Sequence, residues 1–272
     1  MKPYIIQRKN HIAWIEFPIL SQFSELVHFS TLRMGGFSNH PQASLNMGFV
    51  RTDFTTKVIE NRKLVAESLG IPIENMIFSR QTHSDHIAIV SAVDKGKGVF
   101  YKPTAIQDND GYVVSEPLIC PVVMTADCVP VFLYDPQNKI ASVVHSGWRG
   151  TVQHIASKAV DIMVAKGSHV NNIVAAIGPS AGSCCYQVGE EVLEKFVSAY
   201  GTEAYRFFSS PKPPFTVNLW DAIRTSLIRS GLTPKHIAQT DLCTICNPHM
   251  FFSARNNKGM TGRMASGIMI KP

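Results

Sequence analysis

The amino-acid sequence predicts a single α/β domain built in layers, with helices packed on a mixed sheet. Three observations support this fold class: strand-like runs alternate with segments of helical spacing, some strands follow one another without a helix between them, and no glycine fingerprint follows a strand as in dinucleotide-binding folds. The chain has 272 residues, of which 45% are hydrophobic and 17% charged, enough for one folded core. Because no linker-like stretch interrupts it, we predict one domain over residues 1–272.

Helix and strand signals are distributed along the whole chain. Thr55 or Thr56 is predicted to cap a helix that continues through Leu69, where Gly70 ends it. Three more helices are predicted from apolar residues at helical spacing, over residues 152–163, 190–200 and 219–227. Strands are predicted for four runs rich in branched residues, namely residues 11–17, 121–134, 140–144 and 173–177.

Composition indicates the cellular compartment of the protein and the kinds of partner it binds. Charged and polar side chains near the start of the chain interrupt any apolar core of the kind that a secretory signal requires, and no later stretch reaches the roughly 20 apolar residues of a membrane span. The formal charge is +6, but Lys and Arg are scattered without a basic run. We therefore expect a cytoplasmic protein with no membrane or nucleic-acid partner, and the charge suits an anionic small substrate.

The six cysteines lack the spacing of a small disulfide-stabilised scaffold, so reduced thiols are expected. Cys120, Cys184 and Cys185 are interpreted as small buried residues. Cys243 and Cys246 form a C-x-x-C pair with a histidine three residues further on. A structural zinc site on this pair is disfavoured, because a closed site needs four ligands and no second pair follows at a familiar spacing.

Three polar segments next to predicted strand ends and glycine turns carry the reactive side chains. They are residues 79–84, 124–130 and 143–150. Loops at strand ends concentrate binding groups because the scaffold fixes them within reach of substrate, so we expect the three to converge. His83, Cys128 and His145 then form a three-ligand zinc set with a fourth position open for water or substrate, which indicates catalysis. Zinc there would polarise substrate and activate water without a redox step.

The same residues also fit a centre without metal. Cys128 would be the nucleophile and His83 or His145 its base, with Asp127 as the orienting group. In the zinc interpretation, Asp127 is a proton carrier or a partner that orients a metal-bound imidazole. Sequence spacing alone does not distinguish the zinc site from the metal-free site. Two histidines beside one cysteine favour the metal, since a nucleophilic cysteine needs only one base. Cys128 and Asp127 are the catalytic candidates in either case.

Arginines near glycine turns are candidates for holding an anion. Arg33 lies in residues 31–36, where a Gly-Gly turn presents backbone N–H groups. Arg149 stands at the predicted start of a helix, whose dipole favours an anion. Arg255 and Arg263 lie near the C-terminus in polar segments of the same kind.

These motifs together resemble one family, the YfiH-like proteins, which have long been labelled multicopper polyphenol oxidases or laccase-domain proteins and are associated with purine nucleoside phosphorylase activity. The Ala-Asp-Cys and His-Ser-Gly-Trp-Arg-Gly segments, in this order, are its most specific features. The resemblance covers nearly the whole chain, through residues 31–38, 44–48, 61–62, 81–83, 125–130, 145–150, 177–179, 185–189, 243–244, 252–255 and 261–263.

The resemblance implies a single α/β domain with mixed sheets in a sandwich-like arrangement and flanking helices. It implies zinc on His83, Cys128 and His145, phosphorolysis of adenosine, guanosine, inosine and methylthioadenosine, and deamination of adenosine. Purine nucleosides and phosphate are then the partners. The substrate contacts assigned on this basis are Arg33, Asn46, Gln81, Arg149 and Arg255. Two departures are Ala254, where a Tyr is common, and Cys246, which is not a usual part of the pattern.

Three other functions compete with this interpretation. A copper-dependent polyphenol oxidase needs several copper centres and many clustered His ligands, whereas this chain has ten His and no His-x-His. Copper nevertheless remains an alternative metal. A metal-free Cys/His hydrolase acting on cell-wall precursors uses the same residues. A nucleotide-binding regulator without turnover is disfavoured, since binding alone needs no soft thiolate beside two imidazoles.

Overall fold

Two six-stranded sheets form the centre of the molecule in the computed structural model, which describes residues 2–210 and 212–272. The strands are β1 (Ile5–Lys9), β2 (Ile12–Glu16), β3 (Leu26–Thr31), β4 (Met76–Phe78), β5 (Ile87–Val90), β6 (Gly111–Val114), β7 (Cys120–Thr125), β8 (Val129–Asp135), β9 (Ile140–Ser146), β10 (Val174–Ile177), β11 (Gln187–Val188), β12 (Phe215–Thr216), β13 (Ile237–Gln239) and β14 (Met264–Ile270). The helices are α1 (Pro18–Ser21), α2 (Thr55–Leu69), α3 (Trp148–Val152), α4 (Ile155–Ala165), α5 (Glu190–Tyr200) and α6 (Leu219–Arg229). In the described part of the chain, no helix is both long and apolar enough to cross a bilayer.

Both large sheets are mixed. The first has the order β1-β2-β3-β14-β7-β4 and is antiparallel except where β4 pairs with β7. The second has the order β13-β10-β8-β9-β6-β5, with parallel pairs at its two edges and antiparallel pairs between them. Strands β11 and β12 form a separate short pair.

The alternation of side chains along the strands shows how the layers pack. On β8, Val131 and Leu133 belong to the core beneath helices α4, α5 and α6, whereas Phe132 belongs to the core between the two sheets. On β7, Val123 faces that central core and Val122 faces the core beneath α2. From one side of the molecule to the other, the layers are therefore α2, the two sheets, and helices α4, α5 and α6. This arrangement confirms the predicted mixed α/β fold with flanking helices.

The predicted elements are confirmed where their local signals are strong. Helix α2 continues through Leu69 as predicted, and Gly70 ends it at a φ of +68°, in the left-handed region that favours glycine. The predicted threonine cap is wrong, because Thr55 is already helical and the N-cap residue is Phe54, which makes no side-chain capping bond. Helices α5 and α6 also lie where helical spacing indicated. The helix predicted over residues 152–163 is confirmed from Ile155 onward as α4, but Val152 belongs to α3, because His154 at a φ of +58° separates the two helices.

The single strand predicted over residues 121–134 is also wrong. Its apolar run forms β7 in one sheet and β8 in the other, separated by residues 126–128. Asp127 in this connection has a φ of +88°, a conformation that no extended strand contains. The chain thus crosses between the two layers at the place where the predicted catalytic segment lies.

Candidate active site

The three predicted ligands lie together beside a cavity. His83 is in the loop between β4 and β5, Cys128 ends the connection between β7 and β8, and His145 is on β9. Their ligand atoms all lie within 4.8 Å of one another, and the two imidazole ring centroids are 4.9 Å apart. The structure therefore brings together side chains that are separated by 62 positions in the sequence.

Asp110 orients this cluster and was missed by the sequence analysis. Its buried carboxylate lies 2.7 Å from Nδ1 of His145, which leaves Nε2 of that ring for the cluster. The same carboxylate accepts backbone N–H bonds from Thr82, His83 and Ser84, at 3.0, 3.1 and 2.9 Å. One side chain thus fixes the ring of one ligand and the backbone of another. A carboxylate in this position is the usual outer partner of a metal-bound histidine.

The charges of the cluster depend on one another. Burial opposes ionisation of Cys128, but the neighbouring His145 and His83 imidazoles outweigh it and lower the pKa of the thiol to about 6. Burial likewise opposes the charged form of His145, but the Cys128 thiolate and the Asp110 carboxylate raise its pKa to about 9. Burial also disfavours the Asp110 carboxylate, yet its hydrogen bond to His145 keeps its pKa well below the usual range. A thiolate beside the imidazoles is therefore favoured.

The donor set and the space around it fit a zinc ion. Two imidazoles and one thiolate are ligands that zinc prefers, and three protein ligands leave a position for substrate. Gly147 packs directly against the cluster: a Cβ there would lie 2.9 Å from the Cys128 sulfur and 3.1 Å from Cδ2 of His83. A larger residue would displace both side chains, which explains a glycine directly after β9.

The adjoining cavity has a volume of about 470 Å³, which is in the range of small-molecule sites. Its wall contains all three candidate ligands. Arg80, Lys102 and Arg263 add positive charge, and Phe49 and Met124 provide an apolar surface. The combination of cations with apolar side chains suits a ligand that has both an anionic part and a flat ring. Arg80 and Lys102 were missed, although Arg80 directly precedes the predicted Gln81.

Asp127 faces away from the imidazoles and anchors other segments. One of its oxygens accepts the Thr244 hydroxyl at 2.6 Å, and the other accepts the Ser253 hydroxyl at 3.0 Å and the Arg255 backbone N–H at 2.7 Å. Asp110, rather than Asp127, orients His145. The carboxylate of Asp127 is buried and already has three donors.

The five predicted substrate contacts occupy different environments, and two of them are tied into the protein interior. Gln81 lines the cavity, where its amide pairs with the backbone of Met124. Arg33 donates to the carbonyl oxygens of Ala43 and Pro248. Asn46 is fully buried and its oxygen accepts the N–H groups of Gly48 and Arg263. The Gly-Gly turn after Arg33 donates its N–H groups to the Ser44 hydroxyl.

Arg149 and Arg255 are exposed on the neighbouring surface. Arg149 lies over the ring of Trp148, with 4.2 Å between the guanidinium carbon and the ring centroid. Arg255 lies 5.1 Å from the ring centroid of Tyr186 and lines a second groove of about 390 Å³ that also includes Trp148. Both guanidinium groups are thus held by aromatic faces outside the wall of the main cavity.

Comparison with known proteins places the chain in a family. The chain belongs to the family described as multi-copper polyphenol oxidoreductase laccase, which matches residues 27–271. Purine nucleoside phosphorylase YlmD of Bacillus subtilis (strain 168) is 34% identical over 248 residues, covering 91% of this chain and 89% of that protein. Adenosine deaminase RL5, from an unknown prokaryotic organism, is 32% identical over 244 residues, covering 89% and 93%. The crystal structure of hypothetical protein YfiH of Bacillus licheniformis has a TM-score of 0.93 and 34% identity, with full coverage of both chains. The resemblance stated from the motifs is confirmed.

Proposed function

We propose that this protein is a zinc-dependent purine nucleoside phosphorylase that acts on adenosine, guanosine, inosine and methylthioadenosine and also deaminates adenosine, with residues 1–272 as one catalytic domain. The observation that carries the proposal is an incomplete His-Cys-His ligand set on the wall of a cavity with a basic lining. The names of the relatives support both reactions. Zinc is preferred over copper because the site has a single thiolate and two imidazoles, without the clustered histidines of a multicopper centre.

His83, Cys128 and His145 would hold the zinc ion, which supplies a Lewis acid that polarises substrate and activates water. Asp110 keeps Nδ1 of His145 engaged and so directs Nε2 toward the site. It also fixes the loop that carries His83. Apolar side chains on the cavity wall would contact the purine ring and limit the access of water to it.

In phosphorolysis, a phosphate oxygen bonds to C1′ of the ribose while the bond from C1′ to N9 of the purine breaks and the base leaves. In deamination, water adds at C6 and ammonia leaves. The protein must hold phosphate against C1′ in the first reaction, and Arg80, Lys102 and Arg263 offer the cations on the wall. Arg149 and Arg255 remain candidates for contacts at the outer end of the substrate.

Several predicted residues fit supporting roles better than direct ones. Asp127 is a positioning residue in this proposal, because one of its oxygens accepts the Thr244 hydroxyl and the other holds the segment that carries Ser253 and Arg255. Asn46 shapes the wall through the backbone N–H groups of Gly48 and Arg263, and Arg33 ties together the segments of Ala43 and Pro248. Gln81 is bonded to the wall at Met124 and would also contact the nucleoside.

The test is the product formed from inosine with and without inorganic phosphate. The proposal requires ribose 1-phosphate and hypoxanthine in equal amounts, with formation dependent on phosphate. Cys128→Ala should abolish the reaction and remove one zinc ion, while Cys120→Ala, a matched change in a buried thiol of β7, should change neither. Ribose released by water alone would contradict phosphorolysis, and copper in place of zinc would contradict the metal assignment.

A further inference from the structure

A second group of cysteines lies outside the catalytic centre. Cys184 and Cys185 are in the turn that follows β10, and Cys243 and Cys246 are in the turn that follows β13. These two strands are parallel neighbours, so the turns after them leave the same edge of the sheet side by side. A bridge between Ser180 and Cys243 continues the pairing beyond the strands. The fold therefore places two cysteine pairs together that are far apart in sequence.

The separations of the four sulfur atoms suit one tetrahedral metal ion. All four lie within 4.8 Å of one another, with 3.2 Å between Cys185 and Cys246 and 3.5 Å between Cys184 and Cys246. Zn–S bonds of about 2.3 Å in a tetrahedron require sulfur atoms roughly 3.8 Å apart. Two of the separations are thus slightly shorter than required and none exceeds 4.8 Å, so small side-chain rotations would bring the four sulfur atoms to tetrahedral spacing.

A backbone donor also favours a thiolate at Cys243. This residue is buried, and its sulfur accepts the Gly182 N–H at 3.3 Å. Such N–H bonds to sulfur spread the charge of a thiolate and orient it for a metal. Cys184 and Cys246 are exposed, which gives an ion a path of entry from solvent.

We propose that Cys184, Cys185, Cys243 and Cys246 bind a structural zinc ion. Four thiolates complete the tetrahedron and leave no position for substrate, which distinguishes this site from the catalytic one. Soft thiolates at tetrahedral spacing select zinc among common divalent ions. The interpretation of Cys184 and Cys185 as small buried residues is wrong, since one is exposed and the other half-buried.

The proposed ion would cross-link the turn after β10 to the turn after β13, and both turns support the catalytic centre. Thr244, between two of the proposed ligands, donates its hydroxyl to Asp127. Tyr186 directly follows Cys185 and lies beneath Arg255. Cross-linking these turns would limit their opening, because it would add to the hydrogen bonds that join them, from the Thr244 N–H to Ser180 and from the Gly182 N–H to the Cys243 sulfur. Loss of the ion should loosen the groove that Arg255 lines.

The proposal rests on chemistry independent of the proposed function, and zinc content separates the two. Protein purified without oxygen, loaded with Zn²⁺ and desalted should contain about two zinc ions per chain. Cys246→Ser and Cys128→Ala should each contain about one, and the double variant none. If only the cysteine site fails, wild type and Cys246→Ser both contain one. If only the catalytic site fails, wild type and Cys128→Ala both contain one.

A second readout tests the ligand set itself. Cys128→Ala loaded with Co²⁺ should show the strong visible absorption of tetrahedral cobalt bound to thiolates, and adding Cys184→Ser should weaken it. Cys184 and Cys246 are exposed, so the fold should persist when either is replaced by serine, as circular dichroism would verify. Equal zinc in wild type and Cys246→Ser, iron in place of zinc, or a disulfide in protein kept from oxygen would overturn the proposal.

Discussion

Replacement of Asp110 by Asn tests how the catalytic centre is held. The carboxylate has six donors: Nδ1 of His145, three backbone N–H groups from Thr82 to Ser84, and the hydroxyls of Thr82 and Ser84. An Asn side chain has one oxygen and one NH₂ group, so in either orientation its NH₂ faces groups that also donate. Loss of an outer partner of a metal ligand typically lowers metal affinity about 10-fold to 100-fold. Because Asp110 supports two ligands, we expect a loss of zinc affinity near 100-fold, which corresponds to about 2.7 kcal/mol of binding free energy.

The affinity is best measured in the Cys246→Ser background, so that only the catalytic site titrates. Competition between the protein and a chromophoric chelator at fixed pH gives the dissociation constant for zinc. Asp108→Asn is the matched control: it lies two positions away, is exposed, and contacts Thr82 and His86 without touching a ligand side chain. A zinc affinity for Asp110→Asn within about twofold of that control would refute the outer-partner role.

Three further predictions follow from single contacts. Burial lowers the pKa of His28 from 6.5 to about 3, so its contribution to stability is present above pH 6.5 and is lost as pH falls toward 3. His28→Gln keeps an acceptor for the Phe17 N–H. Between pH 7 and pH 5, the free energy of unfolding measured in urea should fall by about 2 kcal/mol less in this variant than in wild type, and an equal fall in both proteins would contradict this. Gly147→Ala should displace Cys128 and lower zinc affinity at the catalytic site, whereas an affinity equal to wild type would show that the cluster can shift freely. Iodoacetamide should modify Cys128 slowly in zinc-loaded protein and much faster after chelation, as peptide mass mapping would show; rapid alkylation of the loaded protein, or full activity in chelator, would favour the metal-free hydrolase.

The fold class and the convergence of His83, Cys128 and His145 were predictable for different reasons. Helices α2, α5 and α6 have apolar residues at helical spacing and clear end signals, so the local sequence was sufficient to predict their positions. His83, Cys128 and His145 were identified because reactive residues stood beside apolar runs. The break at residues 126–128 was missed, since an apolar run gives no sign that its two halves belong to different sheets.

Asp110 and the second cysteine cluster were missed because their roles depend on tertiary packing. Asp110 stands in a polar Asp-Asn-Asp-Gly stretch that resembles an ordinary turn, and nothing local shows that β6 will bring it to His145 on β9. The partner pair for Cys243 and Cys246 lies upstream in the chain, whereas in familiar zinc-binding spacings a second pair follows. The useful signal was the two adjacent cysteines, Cys184 and Cys185, in the turn after β10, the strand that pairs with β13.

The placement of the catalytic centre follows from the way the chain passes between layers. Strand β7 belongs to one sheet and β8 to the other, so the connection that carries Cys128 spans the gap between them. A connection of three residues can do this only through a sharp turn, and Asp127 adopts the required left-handed conformation. Bonds from Thr244, Ser253 and the Arg255 N–H hold that turn. The position of the thiolate relative to the two imidazoles is therefore set by the packing of both sheets. Substitutions that loosen the core between the sheets should weaken zinc binding even when they lie far from the ligands.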